Sequence, residues 1–256
     1  MNVRRFCVFT MAVLATGMAF SADEKDAVQN KKPRPPVQLV AVPNSQKGTF
    51  WIADGHKIVD AAPIIKEAKA DFYKISRLNY VSTNGVAAKV DTARDLVKTL
   101  GANAAIFIVD ETKLPPLLVA PEEHWAMVNV YALTRDGTEG DKLIKRVKGE
   151  VYRAFAIVGG CFISQFDGNV LDCTSLRELD RRDDDVFLPV DLYARLTTYL
   201  PKLGLEPLRR TTYRKACKEG WAHQPTNDIQ RAIWEQVNLE KERGPVNAIK
   251  IAPPKK

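Results

Sequence analysis

The chain has 256 residues, of which 38 are basic and 31 acidic, giving a formal net charge of +7. Its apolar and charged fractions are those of an ordinary globular protein, with ample material for one large core and none of the bias of disordered or collagen-like chains. Beyond Phe20 no stretch is long and apolar enough to span a bilayer. Lysines and arginines are interspersed with acids rather than gathered into a stripe, which argues against a nucleic-acid partner.

In chain order, residues 1–21 have the layout of an export leader. Arg4 and Arg5 precede an apolar run that ends in Ala19-Phe20-Ser21, small residues flanking a cut before Ala22. Loss of this leader would lower the net charge to +5 and place the protein in the periplasm or outside the cell. Residues 22–36, with Lys31, Lys32, Arg34 and three prolines, read as an extended linker. Residues 37–42 form a first strand ended by Pro43, and 49–53 a second. Asp60 caps a helix with Pro63 in its first turn and Ile65, Ala68 and Phe72 as its stripe. Residues 78–81 suggest a further strand.

Asp91 caps a helix over 92–100, with Ala93, Leu96, Val97 and Leu100 on one face and Gly101 as its stop. Residues 104–109 are continuously apolar, as a strand buried on both faces requires. A Pro-rich loop over 114–121 leads to a strand over 125–133, whose apolar positions do not alternate cleanly. Residues 141–158 read as a core helix: Asp141 is the candidate N-cap, and Ile144, Val147, Val151 and Val158 follow at helical spacing, joined by Ala154 and Phe155. Gly159-Gly160 stops it. Ser175 and Glu178 form a capping box that opens a short polar helix. Asp191 caps a helix over 192–200 closed by Pro201, and Asn227 or Asp228 caps another over 229–243. Residues 248–256 read as a flexible tail. Helices alternating with strands, one of them doubly buried, define an α/β layered domain.

From Asp141 to Asp191 the chain resembles the archaemetzincin branch of the metzincin zinc peptidases. That family carries His-Glu-x-x-His-x-x-Gly-x-x-His-Cys, later cysteines, and a Ser-Leu-x-Glu-x-Asp-Arg-like stretch. Without a gap, the glycine falls on Gly159, the second stretch on residues 175–181, and a Phe-Cys-Pro on Phe187-Leu188-Pro189. The resemblance implies a metzincin-like layered domain over 37–200 with a mixed twisted sheet, the core helix at 141–158, and a helical C-terminal part over 201–247. It also implies that the functional letters are replaced. The three histidine positions hold Tyr152, Ala156 and Phe162, and the catalytic glutamate position holds Arg153. The structural cysteine positions hold Ile163, Gly168, Leu188 and Asp191, and the Met-turn position holds Val170. Phenyl and methyl groups give zinc no donor, and a guanidinium can neither tolerate a neighbouring dication nor accept a proton.

The expectation is therefore a remnant cleft at Tyr152, Arg153, Ala156, Gly159 and Phe162, with no catalytic residue, metal or cofactor. Tyr152 and Phe162 are expected to fill the vacated space; in the alternative, Tyr152 and Arg153 hold a ligand carboxylate such as a peptide C-terminus. His56, His124 and His223 lie too far apart in sequence to suggest a ligand set. Asp183-Asp184-Asp185 lack the alternation that wraps carboxylates around calcium and read as a solvated turn. Cys161 and Cys173 flank one loop and could pair in an oxidising compartment, or stay buried as small hydrophobes. Three functional readings follow: an exported pseudo-peptidase that binds peptide, protein or envelope material, an active metallopeptidase with other ligands, and a structural envelope protein.

Overall fold

The computed structural model describes residues 36–166, 168–181, 188 and 190–243. The expected leader, almost all of the expected linker, Asp183–Asp185, Phe187, Pro189 and the expected tail lie outside the described residues.

The centre is a five-stranded sheet. Its strands are β2 (Phe50–Asp54), β3 (Tyr80–Asn84), β4 (Ala104–Val109), β5 (Leu117–Ala120) and β6 (Trp125–Asn129), in the order β3-β2-β4-β6-β5. All neighbours run parallel except β5, which lies antiparallel to β6 at one edge. β4 has the boundaries its composition predicts, and all six of its residues are buried. Side chains alternate across a strand, so β4 faces two cores at once. Ala104, Ile106 and Ile108 join the layer containing α1 (Ala62–Ser76) and α4 (Gly140–Val158); Ala105, Phe107 and Val109 join the layer containing α2 (Ala93–Thr99). The first layer is keyed by aromatic contact: Phe72 of α1 stacks on Phe155 of α4 at 3.8 Å, and Phe50 of β2 meets Phe155 edge-on at 5.6 Å.

Several boundaries depart from expectation. The strand expected over 125–133 ends at Asn129, whose buried carboxamide donates to the carbonyls of Glu111 and Leu114 and accepts the Glu111 N–H. The chain then makes one helical turn, α3 (Val130–Leu133), which explains the broken alternation of its apolar residues. Strand β5 lies inside the expected Pro-rich loop, because its four residues fit between Pro116 and Pro121. Helix α4 begins at Gly140 with Glu139 at the N-cap, so Asp141 lies inside the first turn, and Ile144 is exposed while Leu143 is buried in its place. Thr92, not Asp91, precedes α2.

The capping box holds. The Glu178 carboxylate accepts the backbone N–H groups of Thr174 and Ser175, both at 2.9 Å, and opens α5 (Leu176–Arg181). Next, α6 (Val190–Tyr199) contains Asp191 as its second residue. Two further elements were not foreseen, β7 (Arg210–Thr212) and α7 (Tyr213–Glu219). β7 pairs antiparallel with β1 (Leu39–Ala41). Val40, Tyr213, Ala216 and Cys217 share a small core with Val237 of α8 (Asp228–Glu242), which Asn227 caps through the Gln230 N–H.

Candidate functional site

Helix α4 carries Tyr152, Arg153 and Ala156, with Gly159 and Phe162 just past its end, and its long amphipathic pattern leaves it buried along most of its length. Each of those positions has a distinct environment. Tyr152 is 2% exposed, edge-on to Phe72 at 5.0 Å, and its hydroxyl donates to Asp71 Oδ2 at 2.6 Å. Burial, and then the adjacent Asp71 carboxylate, push the phenol well above its usual range. Burial alone would raise Asp71, but the bonds from Lys74 and Tyr152 outweigh it and hold that carboxyl low.

Arg153 turns toward the segment before α5. Its Nη1 donates to the Cys173 carbonyl at 2.8 Å and lies 3.6 Å from Glu150 Oε2. Only 19% of its side chain is exposed, so its donors are directed into the protein rather than toward an incoming carboxylate. Glu150 is 2% exposed, and burial, opposed by Arg153, pushes its carboxyl up to about 7. Glu150 Oε2 and Arg153 Nε are both buried without a hydrogen-bond partner.

Ala156 is fully buried and offers only a methyl group. A Cβ on Gly159 would stand 2.2 Å from Leu196 Cδ2, so α6 closes directly onto that glycine. Gly160, at φ +81°, supplies the left-handed turn expected of the pair and lies against the Tyr199 ring. The chain then leaves the core. Phe162 is 59% exposed, so it does not share with Tyr152 the filling of one space. The cause is the anchoring of its loop to α6: Asp191 accepts from Ser164 Oγ and the Gln165 N–H, both at 3.1 Å, and Arg195 donates to the Ile163 carbonyl.

Of the positions that the resemblance aligns with cysteines, Leu188 is buried, Ile163 and Gly168 are exposed, and Asp191 carries this loop anchor; Val170 is fully buried. Cys161 and Cys173 are both buried, and their thiols donate to the carbonyls of Leu192 at 3.6 Å and Asn169 at 3.9 Å. Burial pushes the Cys161 thiol up to about 12.

The histidines stay apart. His56 pairs with Asp54 at 3.0 Å, His124 occupies a left-handed turn, and His223 lies beside the Gln224 carbonyl. Among the described residues, no three His, Cys, Asp or Glu side chains gather where they could hold a metal ion.

Sequence reasoning missed the polar groups flanking this face. Arg146 is 1% exposed, and all five of its N–H donors are used: two bonds to Asp136, two to Asp180 and one to the Leu133 carbonyl. Asp180 stood out only as part of the motif. Glu150 stood one turn before Arg153, a spacing common on exposed helix faces.

The class these features define is an α/β protein with a mixed five-stranded sheet and a long, largely buried core helix. No family model matches the chain, and no curated protein matches it. Two solved structures are similar to it. One is a zinc-dependent peptidase from Methanocorpusculum labreanum, 13% identical, covering 58% of this chain and 100% of that one, with a TM-score of 0.41. The other is archaemetzincin from Methanopyrus kandleri, 15% identical, covering 62% and 99%, with a TM-score of 0.47.

Proposed function

We propose that this protein is an exported, non-catalytic member of the metzincin-like group that binds an extended segment of peptide or protein. The carrying observation is α4 and the turn after it: Tyr152 is tied to Asp71, Arg153 to Cys173, Ala156 presents a methyl, and beyond the helix Phe162 is exposed. None of these can polarise a carbonyl or activate water as a bound metal would. The motif register from Gly159 through Arg181 supports the kinship, and the leader-like residues 1–21 support export.

The binding half of the reading rests on β5. It is a sheet edge with one partner, its Leu117-Leu118-Val119-Ala120 run is half-buried, and among the described residues its backbone bonds to nothing but β6. An apolar edge without a lysine or bulge is a ready template for strand addition.

Elemental analysis of the purified protein, with digestion of casein as the activity assay, tests the non-catalytic half. The expected result is no stoichiometric zinc and no cleavage; tightly held zinc with chelator-sensitive cleavage would establish the active-peptidase reading. Titration with an apolar heptapeptide and its alternately N-methylated form tests the edge. Methylation should abolish binding, because it removes the N–H groups a strand must donate. Equal binding of the two forms would refute strand addition. An N-terminus at Ala22 in the mature protein is the expected sign of export.

A further inference from the structure

Helix α1 separates its charges. Its acids are engaged on the α4 side, where Glu67 accepts from Lys148 at 2.6 Å and Asp71 from Lys74 and Tyr152. Its opposite flank faces the other edge of the sheet, β3, and carries Lys66, Lys69 and Tyr73. Two hollows lie along this seam, of about 340 and 300 Å³, and they share Lys69. Gln46, Tyr73 and Asn79 border the first, floored by buried Leu78; Lys66, Ser82 and Asn84 border the second. Neither lining contains an acid.

Unused hydrogen-bonding capacity is concentrated here. Gln46 and Asn79 each donate once, to the Arg77 carbonyl and to Thr49 Oγ1, which leaves both carboxamide oxygens available as acceptors. Lys69 donates to Ser82 Oγ at 3.1 Å and keeps two further N–H donors, and Lys66 is exposed and has no partner among the described residues. Tyr73 is 39% exposed and presents an aromatic ring at the rim. An aromatic face attracts polarised C–H groups, carboxamide oxygens accept from hydroxyls, and two ammonium groups select negative charge.

We propose that the α1–β3 groove binds an acidic oligosaccharide, a chain of pyranose rings bearing carboxylates. A ring stacks on Tyr73, its hydroxyls donate to Gln46 and Asn79, and its carboxylates meet Lys66 and Lys69. The two hollows meet at Lys69, which gives a linear chain room to contact both.

Calorimetric titration of the full chain with a tetramer of galacturonic acid tests this, with cellotetraose as the uncharged sugar and polyglutamate as charge without sugar. The tetra-uronate should bind saturably and the other two far more weakly. Lys66→Gln, Lys69→Gln and Tyr73→Ala should each weaken it about tenfold, the loss expected of one charge-assisted bond or one stacked ring. Lys98→Gln, on α2 across the sheet, should leave it unchanged. The proposal is overturned by absence of saturable binding, by cellotetraose or polyglutamate binding as tightly, or by Lys98→Gln weakening it equally.

Discussion

Arg146 and Asp180 are joined by two parallel hydrogen bonds, Nε to Oδ1 at 2.6 Å and Nη2 to Oδ2 at 2.7 Å, which clamp α5 onto α4. The two partners are unequally buried: the arginine side chain is 1% exposed, the aspartate 23%. Removing the carboxylate leaves two buried N–H donors unsatisfied on a cation that Asp136 still pairs, whereas removing the arginine leaves carboxylates that reach water. Asp180→Ala should therefore cost about 3 kcal/mol, and Arg146→Met distinctly less, in urea unfolding. Equal costs would contradict the asymmetry.

Glu150 gives the protein a pH dependence opposite to that of most carboxylates. Its folded pKa, raised to about 7 by burial, lies above the unfolded value, so the native state binds the proton more tightly. The resulting stability is fully present below the unfolded pKa and is lost as pH rises toward about 7. Asp180, held low by Arg146, acts in the other direction and only in acid. Denaturation midpoints measured from about pH 5 to 8 should fall with pH, and Glu150→Gln should flatten the fall.

Gly160 and Gly159 should respond differently to alanine. At Gly160 the left-handed backbone is costly for any side chain, by about 1–2 kcal/mol, and the new Cβ would strike the Tyr199 ring at 2.5 Å. At Gly159 the obstacle is the end of the flexible Leu196 side chain. Thermal melting should place Gly160→Ala well below Gly159→Ala.

Cys161 should resist alkylation in the native protein, since its thiol is buried and pushed up to about 12. After unfolding without reductant, mass measurement should find Cys217 modified and decides the state of Cys161 and Cys173. Protection of the latter two together would reveal a disulfide between them.

The fold was legible where one chain segment decides its own environment. β4 could be read residue by residue because burial on two faces demands an unbroken apolar run, and the buried stripe of α4 was visible apart from Ile144. β5 was hidden because its neighbouring prolines signal a loop and its pairing with β6 is a tertiary event. β7 and α7 were too short to show a period. At the site, the burial of Tyr152 and Ala156 could be read from the helical period, but Phe162's outward course could not, since it follows from anchors on Asp191 and Arg195. Glu150 had the spacing of an exposed helix pair, and only packing around α4 made it a buried acid.

The pairing of Leu39 with Thr212 ties the earliest strand to one of the last. A chain emerging from its N-terminus must hold β1 unmated until nearly the whole polypeptide has followed, so this seam closes late and its loop-closure entropy is among the largest in the molecule. During synthesis the β1 segment stays unpaired until β7 has followed it. A protein stalled short of β7 would keep its sheet layers yet leave its beginning unfastened, a partial species that limited proteolysis would cut near Pro43.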